Sequence, residues 1–392
     1  MSKRFLFIGE DSSLRRELQE YDQDTEFYAY RSTEAFDRTV EYDFVLISDR
    51  EVQSMALGGF VQDLKAHQIF YLISNGPKSN IVENKVALCK QHGIKPILPK
   101  QTTTQILQRV LGLTGKSQGY RNVCSVLGTH PQVGTTMITL SMAKQMAEAG
   151  QKVGVLGLNQ FNSGKVYYEN YVGNTLDEMY TQIADRKQIL KSSELLNYMH
   201  FDEDRKYHYL AGNQDFAKRG YFQSEDIEHL ISMAAEQFDV VLLDVGFSPC
   251  NNLTLQGLFK SDTKLLVGSQ QPISAIMWQQ MNNDILNLLS ISADEFLLVV
   301  NRYNADFPMD TKALQNLMNV PTIGAIPDLG IDGTICEMEK KLLVESRNKT
   351  ARKRAEMGIE SLVTIVNERI AGTQAMARTA KEKSGIWNRL LS

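Results

Sequence analysis

Cysteine is scarce and scattered. The four residues, Cys89, Cys124, Cys250 and Cys336, form no C-x-x-C pair and have no histidine set beside them. That spacing excludes a sequence-local zinc site and a disulfide framework, and predicts reduced core thiols in a cytosolic protein. Long apolar runs are also missing. No stretch approaches the roughly 20 apolar residues that span a bilayer. The first strand-like run, Phe5 to Gly9, meets Glu10 and Asp11 too soon to serve as a signal-peptide core. The chain is therefore expected to be neither secreted nor membrane-spanning. Basic charge is not in excess either: a net charge of −4 and a pI near 6.0 exclude a generally basic surface and leave room only for local patches. No internal repeat occurs at solenoid periods.

What is present is the composition of a folded chain. Hydrophobic residues make up 43% and charged residues 22% of the sequence, close to the average for globular proteins. The 392 residues exceed one ordinary core and fit two α/β domains with a short tail. From residue 4 to about 112, the apolar runs FLFIG, EFYAY, DFVLIS, IFYLIS and KPILP alternate with helical patterns at 12–20, 54–65, 81–92 and 103–112. Such alternation predicts a five-stranded parallel sheet, a flavodoxin-like domain over residues 1–114. Residues 115–121 are polar, contain glycine and read as a linker. Six further strand-like runs follow, at 123–128, 152–158, 239–245, 263–269, 295–301 and 322–326. Most are apolar throughout, as strands buried on both faces of a parallel sheet are. They predict a larger doubly wound domain over 122–370, closing in one or two helices at 337–370, with a looser tail at 371–392.

In the first domain the acids Glu10 and Asp11 follow strand one, Asp49 ends YDFVLISD, Ser74 ends FYLIS and Lys100 follows strand five. This order resembles a response-regulator receiver domain. Phosphoryl acceptance needs a carboxylate at a strand end beside Mg²⁺-binding acids, a hydroxyl to sense the phosphate and a lysine to pair with it; strand C-termini are where such groups converge. Asp49 is the candidate acceptor. The sequence departs from the pattern in Gly9-Glu10, which displaces the second acid to Asp11, and in Pro99-Lys100, which inverts the usual Lys-Pro pair. The alternative is a receiver-like domain kept for docking or dimerisation, with Asp49 capping the next segment.

In the second domain, Val126-Leu-Gly-Thr-His-Pro-Gln-Val-Gly-Thr-Thr-Met137 follows a strand and opens a helix. A P-loop puts its backbone N–H groups against phosphates at that place. The segment resembles the deviant P-loop of the ParA/MinD superfamily, K-G-G-x-G-K-[ST]-T. Val133, Gly134 and Thr136 match it. His130 and Thr135 stand where the two lysines belong, and Pro131 and Gln132 replace two glycines. FDVVLLDVG (238–246) resembles the Walker B strand with Asp244 near Mg²⁺; LLVVNRYNADF (297–307) resembles the strand whose Asn301 and Arg302 lie near the base; VPTIGAIPD (320–328) resembles the strand and turn that follow. The resemblance implies ATP and Mg²⁺ as ligands. It places Val133, Gly134, Thr135, Thr136, Met137, Asp244, Asn301 and Arg302 at the nucleotide, with Thr136 and Asp244 at the metal. Against this stands the plainer reading of Thr136 as a helix N-cap.

No catalytic residue is expected. Phosphoryl transfer needs positive charge where negative charge develops, and both lysines are gone. The family's water-orienting aspartate is replaced in Gly157-Leu158-Asn159; Asn159 can hydrogen-bond a water but cannot accept its proton. The chain is at most a slow ATPase. His130 is either a neutral surface histidine or a proton-dependent charge near the γ-phosphate.

At the C-terminus Ile386, Trp387, Leu390 and Leu391 fall on one face of a helix, with Lys381, Lys383 and Arg389 beside it. This resembles the membrane-targeting tail of MinD-type proteins, a reversible contact strengthened by dimerisation; the alternative is a terminal helix docking Trp387 on protein. The basic run Arg347 to Arg354 is a solvated helix face or a contact for an acidic partner.

Receiver-like domain followed by degenerate ParA/MinD-type ATPase resembles the TadZ/CpaE group of pilus-assembly localisation proteins. The group implies an ATP-binding homodimer, cytoplasmic or peripheral at the inner membrane face or cell pole, that recruits Flp/Tad-type pilus or secretion machinery. DNA is not expected as a partner. The alternatives are a ParA-like partitioning ATPase on DNA, a MinD-like membrane-associated positioning protein, and a regulator phosphorylated at Asp49. A bacterial tyrosine kinase of the same core fold would carry a C-terminal tyrosine cluster, and no tyrosine follows Tyr303.

Overall fold

The structure is a computed structural model. It describes the chain apart from residues 1–2, 11–13, 15, 19–24, 32–35, 75–78, 112–118, 162–163, 185–189 and 391–392, and gives backbone alone at 79–80, 181, 216, 219 and 372–390. The chain divides into two compact units, Met1–Ser117 and Gln118–Ser392.

The first unit is built on five parallel strands, β1 (Arg4–Ile8), β2 (Glu26–Tyr30), β3 (Tyr42–Ser48), β4 (Ala66–Leu72) and β5 (Lys95–Ile97), in the order β2-β1-β3-β4-β5. This is the flavodoxin-like doubly wound order, in which ligand-binding crevices lie at the carboxyl ends of the strands. Position in the sheet explains the strand sequences. Interior β1 buries Phe5 to Ile8 in succession, whereas edge strand β2, EFYAY, mixes exposed and half-buried residues. Helices α1 (Ser54–Gln62), α2 (Ser79–Gln91) and α3 (Thr103–Val110) accompany the sheet. α3 opens on a reciprocal cap: Gln105 N–H donates to Thr102 Oγ1 while Gln105 Oε1 accepts from Thr102 N–H. Its apolar face, with Ile106, Leu107 and Val110, joins Phe5, Phe7, Leu46 and Phe70 in one core.

The second unit has an eight-stranded sheet in the order β13-β12-β11-β6-β10-β7-β9-β8, comprising β6 (Tyr120–Gly128), β7 (Val153–Gly157), β8 (His200–Phe201), β9 (His208–Leu210), β10 (Val240–Gly246), β11 (Ser261–Gly268), β12 (Phe296–Tyr303) and β13 (Thr322–Pro327). All neighbours are parallel except β8 and β9. The order reverses about β6, so its carboxyl end, between β10 and β11, is a topological switch point. Helix α4 (Thr135–Glu148) starts there. The helices of eight or more residues that follow are α5 (Ser224–Gln237), α6 (Asn252–Phe259), α7 (Pro272–Met281), α8 (Thr311–Met318) and α9 (Ile331–Met338), and the last, α10, runs from Lys349 to Leu390. α10 is continuous in backbone rather than divided near 370. Ile359, Leu362 and Val366 bury its first half against the core, and Gly324 permits close approach: a Cβ there would lie 2.8 Å from Leu362 Cδ2.

One buried cation fastens the edge beyond β7. Arg205 donates from Nε and Nη2 to the two carboxylate oxygens of Glu345, both at 2.9 Å, from Nη1 to Tyr167 O at 2.9 Å, and from Nη2 to Lys340 O at 3.1 Å. Its guanidinium pulls the Glu345 carboxyl below its ordinary value against the opposing effect of burial, which is the larger single cause. The expectation of core thiols holds for Cys89, Cys124 and Cys336; Cys250, in the turn before α6, is exposed instead. Among the described residues no helix is long and apolar enough to cross a membrane.

Candidate nucleotide site

Between β6 and α4 the chain makes two left-handed turns, at Gln132 (φ 60°) and Gly134 (φ 103°). A side chain at 134 has no room, because a Cβ would stand 2.3 Å from Asn301 Nδ2. That amide donates to Val133 O at 2.8 Å, so Asn301, placed near the base by resemblance, braces the phosphate loop from the end of β12. Thr135 and Thr136 form the first turn of α4 and are buried with Val133 and Met137.

Beneath the loop, Thr136 Oγ1 donates to Asp244 Oδ2 at 2.5 Å, joining α4 to the end of β10. Gly246 N–H donates to Asp244 Oδ1 at 3.3 Å, and the side chains of Asn159 and Thr135 also hydrogen-bond the carboxylate. Asp244 is 1% exposed. Burial pushes its carboxyl up to about 6, and these hydrogen bonds oppose the shift. Asn159 Oδ1 accepts from Phe161 N–H at 3.0 Å, so the amide is committed on both sides. An aspartate in its place would set a second carboxylate against Asp244.

His130 faces sideways: Nδ1 donates to Pro131 O at 2.8 Å and Nε2 lies 3.4 Å from Ser269 Oγ. The cleft above the loop has two adjoining parts. One, of about 610 Å³, is walled by Thr136, Asn159, Phe161, Tyr167 and Phe247; the other, of about 390 Å³, by Ser269, Gln270, Phe307, Pro327 and Gly330. Arg302, Gly134, Met137 and Glu337 line both.

Several of these residues gave no sequence signal. Gln270 is buried after β11 and fixes the far wall, donating to Asn304 O at 3.0 Å and Met309 O at 2.7 Å while accepting from Asn304 N–H at 2.7 Å. Its position just past a strand end was the one available clue. Phe161 and Phe247 stack at 5.2 Å between centroids.

The donor set fits a nucleotide with Mg²⁺: a loop closed by a left-handed glycine at a helix N-terminus, with a threonine hydroxyl and a buried carboxylate beneath. Among the described residues there is no separate cluster of three or more metal-ligating side chains.

The residues read from the sequence as receiver-like lie in the first unit. Asp49, its side chain 2% exposed, accepts from Lys85 Nζ at 2.6 Å, Ser74 N–H at 2.9 Å and Ser74 Oγ at 2.6 Å. Lys85 from α2, and not Lys100, is therefore the lysine at this carboxylate. Lys100 follows β5 in a left-handed conformation, φ 72°. Glu10 pairs with Arg31 at 3.2 Å on the surface, and Asp11 lies outside the described residues. So does Leu391, and so do the side chains of Ile386, Trp387 and Leu390. The basic run is partly neutralised by Arg347–Glu339 at 3.0 Å and Arg352–Glu356 at 3.7 Å.

No family model matches the chain, and comparison with curated proteins finds no match. Comparison with solved structures does. A ParA family ATPase from Chlorobium tepidum TLS aligns with a TM-score of 0.54 at 16% identity, over 62% of this chain and 99% of the other. The septum site-determining protein MinD from Pyrococcus horikoshii OT3, solved with Mg-ADP, aligns with a TM-score of 0.50 at 16% identity, over 63% and 96%. The likeness is one of fold: about 62% of the chain shares the fold of these two proteins.

Proposed function

We propose that this protein is an ATP-binding, dimeric localisation scaffold of the TadZ/CpaE kind, serving Flp/Tad-type pilus assembly or secretion, with weak or absent ATP hydrolysis. The observation that carries the reading is the Thr136–Asp244 pair under the Gly134 turn, with Asn159 bonded to the same carboxylate. That arrangement keeps what holds a nucleotide and lacks what would cleave it.

Mg-ATP bound here would bring a metal ion to polarise its phosphates. Thr136 and Asp244 would hold the metal, the N–H groups of the loop and first turn of α4 would hold phosphate oxygens, and Asn301 would keep the loop closed. The two polar side chains under the loop are poor bases for an attacking water: Asn159 is an amide, and Asp244 is buried and already accepts hydrogen bonds from Thr136, Gly246, Asn159 and Thr135. A nucleotide that binds better across two copies than to one shifts the population toward the dimer, and slow hydrolysis makes the shift persistent. The solution of the Pyrococcus protein with Mg-ADP supports the choice of ligand.

The first unit is read as a receiver-like docking module, since Lys85 and Ser74 already occupy Asp49. Residues 371–392 extend the reading to a peripheral membrane contact through Ile386, Trp387, Leu390 and Leu391. Calorimetric titration of the full chain with Mg-ATP, with mass followed by light scattering, tests the core of the proposal. Binding accompanied by a doubling of mass is expected. Absence of both at millimolar ATP would reduce the domain to a scaffold without a nucleotide.

A further inference from the structure

We propose that Arg302 supplies, from the end of β12, the positive charge toward the nucleotide phosphates that the loop itself has lost. The inference rests on the nucleotide-binding reading above and adds a phosphate-contacting residue to it.

Both parts of the cleft are lined by Arg302, and it is their only lysine or arginine among the described residues. The acids Glu337 and Asp328 line the same space, and Asp244 lies below. Without Arg302 the walls would present negative charge to a polyanion, an arrangement that costs binding free energy in a partly desolvated cleft. Its side chain is exposed and enters no ion pair among the described residues, so the guanidinium fork is available for phosphate oxygens.

Two further observations point the same way. Arg302 is left-handed, φ 52°, a conformation that costs an arginine on the order of 1 kcal/mol and recurs where a side chain is held for function. Burial pushes the Tyr167 phenol well up, Glu337 and Asp244 reinforce that shift, and Arg302 opposes it. The charge of Arg302 thus acts on Tyr167, which walls the part of the cleft that Thr136 and Asn159 also line.

Arg302→Gln and Arg302→Lys distinguish phosphate from base contact. ATP, ADP and AMP are titrated against the wild-type chain and both variants, AMP by displacement of ATP, with melting temperature as the check on folding. Expected is a loss of more than tenfold for ATP in the Gln variant, a smaller loss for ADP and less than twofold for AMP, with most of the ATP affinity restored by Lys. Equal losses for all three nucleotides would make Arg302 a base contact and overturn the proposal, as would unchanged ATP binding. A wild-type chain that binds no nucleotide would instead sink the nucleotide reading itself, and Arg302 with it.

Discussion

The hydroxyl of Thr136 and the carboxylate of Asp244, 108 residues apart in the chain, meet at 2.5 Å beneath the phosphate loop. Burial there favours the protonated form of Asp244, and the Thr136 hydrogen bond opposes it. Its folded value of about 6 lies above the 3.8 of an unperturbed aspartate. The stability this group contributes is present below about 4 and is lost as pH rises through 6. The stability of Asp244→Asn relative to the wild type should therefore rise by about 3 kcal/mol between pH 4 and pH 7.5, on top of a pH-independent cost for an amide NH2 set among hydrogen-bond donors. The same variant should lose Mg²⁺-dependent nucleotide affinity. Denaturant titrations at the two pH values check the first statement; a difference between variant and wild type that does not change from pH 4 to pH 7.5 would refute it.

Removing the hydroxyl acts in the opposite direction. Thr136→Val keeps shape but leaves a buried acceptor with one donor fewer, at a cost of roughly 1–3 kcal/mol. Nucleotide binding should become insensitive to Mg²⁺, measured by comparing affinity in Mg²⁺ and in EDTA.

Gly134 and Gly150 form a natural pair of controls. Both are left-handed, at φ 103° and 90°, but a Cβ at 150 meets nothing within 4 Å whereas one at 134 collides with Asn301. Gly150→Ala should cost about 1 kcal/mol, the conformational penalty alone. Gly134→Ala should cost more by roughly 1–3 kcal/mol and abolish nucleotide binding as the Asn301–Val133 bond opens. Similar melting temperatures for the two variants would show that Asn301 is not pressed against the loop.

Asp49 gives a fourth test. Lys85→Met strands a buried carboxylate and should destabilise the first unit by about 3 kcal/mol, an effect that adding Asp49→Asn largely removes. Acetyl phosphate should leave the intact mass of the wild type unchanged. An added phosphate that disappears in Asp49→Asn would restore the phosphoacceptor reading.

The apolar strands of both units were legible because a parallel strand buried on two faces has to be written in apolar residues. β8 and β9 were not: at two and three residues, with His200 and His208 among them, they form no run and exist only by pairing at an edge. The site divides along the same line. Gly134, Thr136 and Asp244 follow from local pattern, while the pairing of Lys85 with Asp49 and of Asn301 with Val133 is made across 36 and 168 residues and leaves no local trace.

The Arg205 rivet carries a mechanical consequence. Tyr167 walls the cleft above the β6–α4 loop, and Glu345 stands four residues ahead of the long terminal helix; one rigid, planar group grips both. Motion of the cleft wall at Tyr167 that leaves these bonds intact must carry the root of that helix with it, so cleft and helix root behave as the two ends of a single lever.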